Sequence, residues 1–519
     1  MTVDAANALN GRRILVSGAT GFLGKVFVAY LLERFPDLRI TLLVRPRGRV
    51  EPPIRRVERM IDTSPVFRPL RARHGQDLGR WLSVRLDSVA GDVEKPHWGL
   101  APDTLNGLLG TDLVVHCAGL TDFAPDPLRA LAANTAGAVH ALDVARALRV
   151  RLVHVSTAFV CGARNGLVDE AVTPSISPNG KSFDPAATVR SLIAACKAET
   201  EASARTEIAQ QQAEDLGWVN VYTLTKGLAE HLLALRGGRD VVIVRPSIVE
   251  CARRFPFAGW NEGLNTSGPL AWLISTAFRH LPARDDVPFD VVPVDDVAIG
   301  LALACSAALR GTAPAVLHLA SSDVNRLTLG RTVELTGLAM RKWSRSSGST
   351  LDRLVYRHLD PVAVAADENR WDAPGNIRGW LADARALLDA IDPGLAPPSL
   401  VQRVTSSVER WQNRVTEADE KLERVERMLD LYRPFIHDFA PVFRTESIRR
   451  LSAETTDPAL RFDVTDIDWR RYWIDVEYPG LRTWCIPLVY GHRIPADAGS
   501  VPALRIQPRD SQVLAKAAK

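Results

Sequence analysis

The sequence has few of the features that mark secreted, zinc-binding or membrane-spanning proteins. Its six cysteines are scattered, with no Cys-x-x-Cys pair and no ligand spacing with histidine, which argues against a disulfide framework and a zinc site. No run of about eighteen apolar residues occurs, so no transmembrane helix is predicted, and the N-terminus lacks the apolar core of a signal peptide. We expect a reducing cytoplasm as the compartment, with peripheral membrane contact left open.

An excess of charge of one sign is also lacking. The 519 residues carry a net charge of +4, and the basic residues are spread singly rather than in runs, so nucleic acid is not an expected partner. Lysine is rare, with nine lysines among the 64 basic residues. The excess of arginine indicates GC-rich coding rather than function, and we expect a bacterial source.

What the sequence does contain predicts an α/β fold. Continuous apolar segments alternate with helical stretches, a pattern typical of a Rossmann-type, doubly wound parallel sheet. The segments predicted as strands are 12–18, 39–46, 83–92, 112–119, 151–160 and 240–249.

The length of the chain and a change of pattern near residue 335 predict two domains. At 519 residues the chain exceeds one ordinary domain. We expect the nucleotide-binding domain over 1–335 and a smaller, mainly helical domain over 336–495. The longest predicted helix of the second domain has a solvated, charged face, with Trp411 able to pack inward. Residues 496–519 are predicted to form a flexible tail.

The segment GATGFLG follows the first predicted strand. Its glycines allow a tight turn and a close approach to a pyrophosphate, and the helix that follows offers unpaired N–H groups. The turn predicts a dinucleotide site, although a glycine triplet alone also fits an ordinary strand–helix connection. The residues predicted to bind the cofactor here are Gly18, Thr20, Gly21, Phe22, Leu23 and Gly24.

The ends of the next two strands predict how the adenosine half is bound. Arg45 and Arg47 stand where an NAD-preferring site usually carries a carboxylate. Guanidinium groups with no acid nearby favour the 2′-phosphate of NADPH. Asp92 and Val93 follow a third strand, where they could cap the adenine.

Small residues end the fourth predicted strand. Ala118 and Gly119 leave room for the cofactor, and we expect both to contact it. His116, just before them, is interpreted as a packed core histidine rather than a catalyst. Asn134, on the next predicted helix, could bind water or backbone near the site, and helix packing explains it almost as well.

The segment NVYTLTKGLAEHL places a lysine four positions after a tyrosine in a chain that is poor in both. On a helix, Tyr222 and Lys226 share one face, so the ammonium can hold the ribose and lower the pKa of the phenol. Ser156 and Thr157 close a predicted strand, at the edge where ligands bind in open α/β sheets, and a hydroxyl there can bind a substrate carbonyl. Tyr222 is predicted to donate the proton when hydride is transferred.

The motifs GATGFLG, VSTAFV, YTLTK and RPSIV resemble those of the extended short-chain dehydrogenase/reductases. More narrowly, GATGFLGKVFVAYLL, LLVRPRG and the stretches 245–265 and 289–297 are similar to the fatty acyl-CoA reductases. The stretch 462–484 resembles the "sterile" domain of that family, so the resemblance covers most of the chain. It departs from the family pattern at Cys161 and in the loop 257–260, and helices within 184–216 are expected to fill a long insertion.

The resemblance implies an enzyme that uses NADPH to reduce the thioester of a long-chain acyl-CoA, or of an acyl carrier protein, through an aldehyde to a primary alcohol. The residues that it implies for the cofactor are Gly18, Gly21, Gly24 and Arg45, and for the nicotinamide Pro246, Ser247 and Ile248. It implies a catalytic set of Thr157, Tyr222 and Lys226. We expect helices such as 268–281 and the C-terminal domain to build an apolar cleft for the acyl chain, although core packing explains such a stretch equally well.

Three alternatives stay open. An aldehyde-releasing thioester reductase, similar to the terminal domain of carboxylic acid reductases, would use the same residues. A sugar-nucleotide epimerase would retain the oxidation state of its cofactor and would not need the C-terminal module. A non-catalytic NADPH-sensing Rossmann protein would not need Tyr222 and Lys226. Acyl length, the thiol carrier, the final product, oligomeric state and membrane attachment cannot be derived from the sequence.

Overall fold

The computed structural model describes residues 5–46, 51–262, 268, 271, 273, 280–347, 361–364, 374–392, 397, 399–499 and 502–506. Arg47, one of the predicted cofactor-binding residues, lies outside the described residues, as does most of the stretch 268–281. Among the helices that are described, none combines the length and the hydrophobicity needed to cross a bilayer.

A parallel β-sheet lies at the centre of the fold. The strands of the described chain are β1 (Arg13–Ser17), β2 (Arg39–Val44), β3 (Leu86–Ala90), β4 (Leu113–His116), β5 (Arg151–Val155), β6 (Gly166–Val168), β7 (Val241–Pro246), β8 (Ile248–Glu250), β9 (His280–Pro282), β10 (Val291–Pro293), β11 (Val316–Leu319), β12 (Val362–Val364) and β13 (Pro441–Phe443). Seven of them form the central sheet, with the strand order β11-β7-β5-β4-β1-β2-β3. The order reverses between β1 and β4, and ligands bind at such a switch point in open α/β sheets.

Buried apolar runs produce these strands. All four residues of β4 and all six of β7 are buried, as expected for parallel strands covered on both faces. The predicted Rossmann-type doubly wound fold is therefore confirmed. The six segments predicted as strands all contain one, although each prediction extends beyond the observed strand.

Helices connect the strands. Those of the described chain are Ala5–Leu9, Phe22–Arg34, Pro53–Thr63, Arg68–His74, Leu78–Ser83, Pro102–Gly107, Pro127–Ala130, Gly137–Ala147, Pro185–Ala198, Ala202–Leu216, Val221–Gly237, Val294–Arg310, Leu329–Ser347, Pro374–Asp389, Val401–Arg433, Glu446–Glu454, Trp469–Tyr472, Tyr478–Trp484 and Ile486–Val489. Three short π-helical segments continue helices at Leu131–Ala136, Pro434–Asp438 and Trp473–Glu477. The helices expected within 184–216 are present.

The described residues divide into two compact units. One lies within Met1–Gly268, Pro288–Leu327 and Ala440–Lys519, and the other within Pro269–Val287 and Thr328–Phe439. This division differs from the predicted boundary at residue 335, because the chain returns to the sheet-containing unit after leaving it.

Buried hydrogen bonds hold the returning segment in the first unit. The backbone N–H of Cys251 donates to the carboxylate of Glu477 at 3.1 Å, and the Tyr472 hydroxyl donates to the carbonyl of Cys251 at 2.6 Å. Glu477 is fully buried. The residues predicted as a separate C-terminal domain therefore contribute, beyond residue 440, to the core that contains the sheet.

The described part of the predicted tail also contacts this unit. The backbone N–H of Asp497 donates to the carbonyl of Thr63 at 2.9 Å, and its carboxylate accepts from Nε of Arg68 at 2.9 Å. Ile506 is buried, and its N–H donates to Glu58 at 2.7 Å. These residues are docked against helices, which differs from the flexible tail expected from composition.

The second unit contains the strand pair β9–β12 and three long helices. Helices Pro374–Asp389 and Val401–Arg433 pack against each other, and Arg378 bridges them through Asp419 at 2.9 Å. Trp411 is 56% exposed, so the inward packing expected for it is wrong. The guanidinium of Arg414, from the next helical turn, lies over one face of its ring at 5.2 Å from the centroid.

Candidate active site

The glycine turn joins β1 to the helix that begins at Phe22. Gly18 has a left-handed backbone with φ of +79°, and a Cβ there would lie 2.5 Å from the backbone nitrogen of Ala118. A Cβ on Gly24 would lie 2.2 Å from the carbonyl oxygen of Gly18. Side chains are excluded at both positions, so the turn packs directly against the end of β4.

The helix after this turn begins without a side-chain cap, because its N-cap residue is Gly21. No capping side chain therefore occupies its first backbone N–H groups, which can bind a phosphate. Thr20, Phe22 and Leu23 are partly exposed beside it. The Phe22 ring stacks on Trp260 with a centroid distance of 5.2 Å, which fixes one side of the turn.

The end of β2 is basic. Arg45 has an exposed side chain, and its carbonyl accepts a hydrogen bond from Nη1 of Arg56 at 2.8 Å, which brings in a guanidinium that the sequence analysis missed. The Arg45 guanidinium also lies 3.5 Å from Glu94. An acid therefore does approach this position in space, contrary to the expectation from its sequence neighbours.

The loop after β3 is fixed by its own hydrogen bonds. The carboxylate of Asp92 accepts from the backbone N–H of Glu94 at 3.2 Å, and the Val93 carbonyl accepts from Nδ1 of His140 at 2.9 Å. These contacts hold the loop at the edge of the crevice. A role for Asp92 and Val93 against the adenine stays a prediction.

His116 is completely buried at the end of β4. Its Nδ1 lies 2.7 Å from the Ser17 hydroxyl, and its ring stacks on that of His154 with a centroid distance of 5.3 Å. Burial lowers the pKa of His116 to about 3, so the ring is neutral. The interpretation as a packed core histidine is confirmed.

The backbone after β4 lies against the ammonium of Lys226. A Cβ on Gly119 would be 3.1 Å from Nζ of Lys226 and 2.9 Å from Oδ1 of Asn134. A side chain at position 119 would crowd these two groups, so glycine is needed there. Ala118, just before it, lies against Gly18 of the glycine turn, so the loop after β4 contacts both the turn and the lysine.

Asn134 holds this loop in place. It is fully buried in the π-helical turn Leu131–Ala136, and its Oδ1 accepts from the N–H of Leu120 at 2.8 Å. Its Nδ2 donates to the carbonyl of Leu120 and to the hydroxyl of Thr225, each at 3.1 Å. Asn134 thus links the loop after β4 to the helix Val221–Gly237. Sequence analysis named Asn134 as a candidate but could not identify Leu120 and Thr225 as its partners.

Lys226 reaches from that helix to the end of β5. The helix begins with a capping box at Asn220 and Thr223, which fixes where its first turn starts. Lys226 is buried, and Nζ donates to the carbonyl of Val155 at 3.0 Å. Burial lowers the pKa of Lys226 to about 8, partly opposed by Cys117 and Glu230.

Tyr222 meets Thr157 at the same edge. A hydrogen bond with the Thr157 side chain lowers the pKa of the phenol, but the larger effect is desolvation, which raises the pKa of Tyr222 to about 12. The ring of Phe123 lies 5.9 Å away. The sequence predicted that Lys226 lowers this pKa. Among the described residues, Thr157 lowers it and Lys226 does not.

Ser156 and Thr157 follow β5. The Ser156 N–H donates to the carbonyl of Val244 at 2.7 Å, and its buried hydroxyl has no hydrogen-bond partner among the described residues. The Thr157 hydroxyl accepts from the N–H of Phe159 at 3.3 Å. Thr157 can therefore contact Tyr222 and cap a short helix at the same time.

The segment after β7 is anchored by a carboxylate that the sequence analysis did not identify. The Ser247 hydroxyl donates to Asp290 at 2.7 Å, and the Ile248 N–H donates to the carbonyl of Asp290 at 3.0 Å. Asp290 also accepts from the backbone N–H groups of Ser321 and Ser322. The Ser247 hydroxyl is thus engaged in holding the segment, and the contact of Pro246, Ser247 and Ile248 with nicotinamide stays a prediction.

The described residues fit a dinucleotide. Two glycines clear the approach to the helix that begins at Phe22, Arg45 is exposed at the end of β2, and Gly119 leaves the space beside Lys226 free of a side chain. Tyr222, Thr157 and Lys226 meet at the carboxyl end of β5, one strand from the switch point.

A glycine turn after β1 and a Tyr-x-x-x-Lys helix beside the ends of β4 and β5 define a Rossmann-type oxidoreductase of the extended short-chain dehydrogenase/reductase class. The terminal R domain from the myxalamid PKS-NRPS biosynthetic pathway has a similar fold, with a TM-score of 0.51, 18% identity and coverage of 86% of this chain and 88% of that one. The profile of the male sterility protein family, an NAD-binding family, matches residues 16–300. The chain belongs to this family, and its cofactor is a nicotinamide dinucleotide.

Curated relatives match nearly the whole chain. Probable fatty acyl-CoA reductase 5 of Arabidopsis thaliana is 28% identical over 522 residues, covering 93% of this chain and 99% of the relative. Alcohol-forming fatty acyl-CoA reductase of Simmondsia chinensis is 26% identical over 498 residues, covering 91% and 97%. The predicted resemblance to this family is confirmed. The relatives come from plants and animals, which gives no support to the bacterial source expected from the arginine excess.

Proposed function

We propose that the chain reduces a long-chain fatty acyl-CoA thioester with NADPH, through an aldehyde, to a primary fatty alcohol. The observation that carries the proposal is the meeting of Tyr222, Thr157 and Lys226 at the carboxyl end of β5, in a chain whose full-length relatives are named fatty acyl-CoA reductases. The intact Tyr-Lys pair disfavours a non-catalytic sensor. The similarity to relatives named fatty acyl-CoA reductases disfavours a sugar-nucleotide epimerase.

Each residue of the site has its own role in the proposed reaction. A nicotinamide dinucleotide held by the glycine turn and Lys226 would supply a hydride to the acyl carbon. Thr157 binds the substrate carbonyl oxygen beside Tyr222, and the Tyr222 hydroxyl gives its proton to that oxygen as negative charge develops there. The product of this first step is a thiohemiacetal, which releases the thiol and leaves an aldehyde. No cysteine nucleophile is required. A second hydride, from a second NADPH, and a second proton delivered through the same residues would reduce the aldehyde to the alcohol.

Lys226 has a positioning role and a cofactor-binding role in this scheme. Its donation to the Val155 carbonyl fixes the ammonium at the end of β5, where a ribose hydroxyl of the cofactor would take a further N–H. A pKa near 8 keeps most of the ammonium protonated at neutral pH. The positive charge of the Lys226 ammonium stabilises the negative charge that develops on neighbouring oxygen atoms during the reaction.

NADPH is proposed rather than NADH because the end of β2 is basic. Arg45 is exposed there and Arg56 contacts its carbonyl, which suits a 2′-phosphate. If NADH supported the reaction with the same kcat/KM as NADPH, this part of the proposal would be wrong.

The test is product analysis with matched tyrosine variants. Hexadecanoyl-CoA and NADPH are incubated with wild type, Tyr222→Phe and Tyr490→Phe, and products are measured by gas chromatography. Tyr490 is 61% exposed, so its variant removes a phenol hydroxyl from the surface rather than from the buried residues at the sheet edge. We expect hexadecanol from wild type and from Tyr490→Phe, and a rate at least about 100-fold lower from Tyr222→Phe. Accumulation of hexadecanal without alcohol would favour the aldehyde-releasing alternative, and full activity of Tyr222→Phe would overturn the catalytic assignment.

A further inference from the structure

Asp290 is a buried carboxylate that the proposed mechanism does not use. It lies directly before β10 and is 2% exposed. Within the described part of the chain, the groups that donate to its carboxylate are neutral hydroxyls and backbone N–H groups, and none is a cation. Burying a carboxylate without a cation is costly, so the segments that its hydrogen bonds hold in place indicate what it is for.

Two loops of the central sheet meet on this carboxylate. One is the β7 turn, residues 246–248, from which the Ser247 hydroxyl donates to Oδ1 of Asp290 at 2.7 Å. The other follows β11, from which the N–H of Ser321 donates to Oδ1 at 2.9 Å and the N–H of Ser322 donates to Oδ2 at 3.0 Å. Because β7 and β11 are neighbours in the sheet, Asp290 joins the carboxyl ends of two adjacent strands.

The backbone of the β7 turn is fixed by the same group of contacts. The N–H of Ser247 donates to the Leu319 carbonyl at 3.0 Å, and the N–H of Ile248 donates to the carbonyl of Asp290 at 3.0 Å. Pro246 has no N–H. Each backbone N–H of the β7 turn, and its single hydroxyl, is therefore engaged within the protein. The position of the turn is set before a ligand binds, as a rigid support for a ligand requires.

The β7 turn lies beside the residues proposed to carry out the reaction. Strands β5 and β7 pair directly, and beyond their last paired residues the N–H of Ser156 donates to the carbonyl of Val244 at 2.7 Å. Thr157, Tyr222 and Lys226 meet at this end of β5. A ring that delivers hydride beside Tyr222 must be held at the same edge, where misplacement by about 1 Å can cost about 100-fold in rate.

We propose that Asp290 is a positioning residue for hydride transfer, which fixes the β7 turn through the Ser247 hydroxyl as the support for the nicotinamide ring. The inference rests on the proposed function, because it takes NADPH as the ligand at this edge of the sheet. Asp290 acts through Ser247 and needs no contact of its own with the cofactor or the substrate.

The test compares two hydroxyls that approach the same carboxylate oxygen. Ser247→Ala removes the hydroxyl of the β7 turn. Ser321→Ala removes a hydroxyl that lies 3.2 Å from Oδ1 of Asp290 and 3.0 Å from the Val291 carbonyl, and it keeps the Ser321 N–H. Calorimetry gives the dissociation constants of NADPH and of 2′-phospho-ADP-ribose, which lacks the nicotinamide ring. The emission of bound NADPH, which arises from the dihydronicotinamide, is recorded, and kcat for hexadecanoyl-CoA is measured at saturating NADPH.

We expect Ser247→Ala to raise the dissociation constant of NADPH about fivefold, as for one lost hydrogen bond, to shift the emission of bound NADPH and to lower kcat about tenfold. Its dissociation constant for 2′-phospho-ADP-ribose should stay within about twofold, as should every constant of Ser321→Ala. Asp290→Asn should show the same selectivity as Ser247→Ala, and combining the two should weaken NADPH binding by no more than about a further twofold.

Unchanged NADPH binding in Ser247→Ala, equal weakening of both ligands, or equal effects of Ser247→Ala and Ser321→Ala would overturn the inference. Additive effects of Asp290→Asn and Ser247→Ala would also overturn it, because Asp290 would then not act through Ser247. The two serine variants decide the question by themselves if Asp290→Asn does not fold. The comparison of ligands does not depend on turnover, so a protein that shows this binding pattern and reduces no thioester would refute the proposed function and not the role of Asp290.

Discussion

Replacing Asn134 by alanine should destabilise the fold by an amount that the structure predicts. The amide makes three hydrogen bonds, at 2.8 Å and 3.1 Å to the backbone of Leu120 and at 3.1 Å to the Thr225 hydroxyl. Asn134 is fully buried, so water would not readily replace these bonds. At about 1 kcal/mol for each bond, the free energy of unfolding should fall by about 3 kcal/mol. Urea denaturation measures this directly.

The same variant should also lose activity while folded. Asn134 holds the loop that carries Gly119, and a Cβ on Gly119 would lie only 3.1 Å from Nζ of Lys226. A small displacement of this loop changes the surroundings of the ammonium. Misplacement by about 1 Å can cost about 100-fold in rate, so we expect kcat for acyl-CoA reduction to fall about 10- to 100-fold.

Thr135→Val is the matched control. Thr135 lies in the same π-helical turn, and its hydroxyl donates to the Thr225 carbonyl at 2.7 Å rather than to the loop after β4. The valine variant should lose about 1 kcal/mol of stability and keep kcat within about twofold. Equal losses of kcat in the two variants, both assayed where they are folded, would refute the positioning role of Asn134.

Three further predictions concern the cofactor turn, a buried ion pair and Lys226. Gly24→Ala would place a Cβ 2.2 Å from the Gly18 carbonyl oxygen, so we expect it to raise the dissociation constant of NADPH, measured by fluorescence, at least about tenfold. Gly107→Ala is the control, because its Cβ would meet no atom within 4 Å, and it should leave this constant unchanged. Glu230→Gln leaves the buried Arg245 guanidinium without its carboxylate, so the free energy of unfolding in urea should fall by about 3 kcal/mol or more. The double variant Glu230→Gln with Arg245→Met should recover much of this loss. Equal losses in the single and double variants would contradict the pairing. Burial lowers the pKa of Lys226 from 10.5 to about 8, so between these values the folded state binds fewer protons than the unfolded chain and the contribution of Lys226 to stability rises with pH. The unfolding free energy of wild type minus that of Lys226→Met should therefore become more positive from pH 8 to pH 9.5. A change toward negative values would count against a lowered pKa of Lys226.

The sheet could be predicted because its signal is local. Each central strand is a short apolar run between turn residues, and the Tyr222–Lys226 pair lies within one helical turn, so neither requires knowledge of distant contacts. The order of motifs along the chain then places the glycine turn, Thr157 and Tyr222 at one edge, because the carboxyl ends of parallel strands meet there.

What could not be predicted depends on contacts between distant segments. Asp290 meets Ser247, and Glu477 meets Cys251, across separations that no periodicity records. The return of the chain to the first unit after residue 440 is of the same kind, since helical composition does not tell which core a helix joins. Trp411 also shows the limit of composition, because an apolar ring can lie on the surface under an arginine.

The raised pKa of Tyr222 changes how the site should be understood. Sequence reasoning called for a phenol acidified by its lysine neighbour, yet desolvation raises this pKa to about 12 and only the hydrogen bond with Thr157 opposes the shift. A proton donor must be protonated before the reaction, and a pKa of about 12 keeps Tyr222 fully protonated at neutral pH. The oxygen that receives the proton becomes an alkoxide, which is a much stronger base than a phenolate, so transfer from such a phenol is still downhill. A group that stabilised the phenolate would also lower this pKa, and Thr157 is the side chain that does so here. In the proposed mechanism Lys226 would therefore serve to hold the cofactor ribose at the end of β5 rather than to stabilise the phenolate.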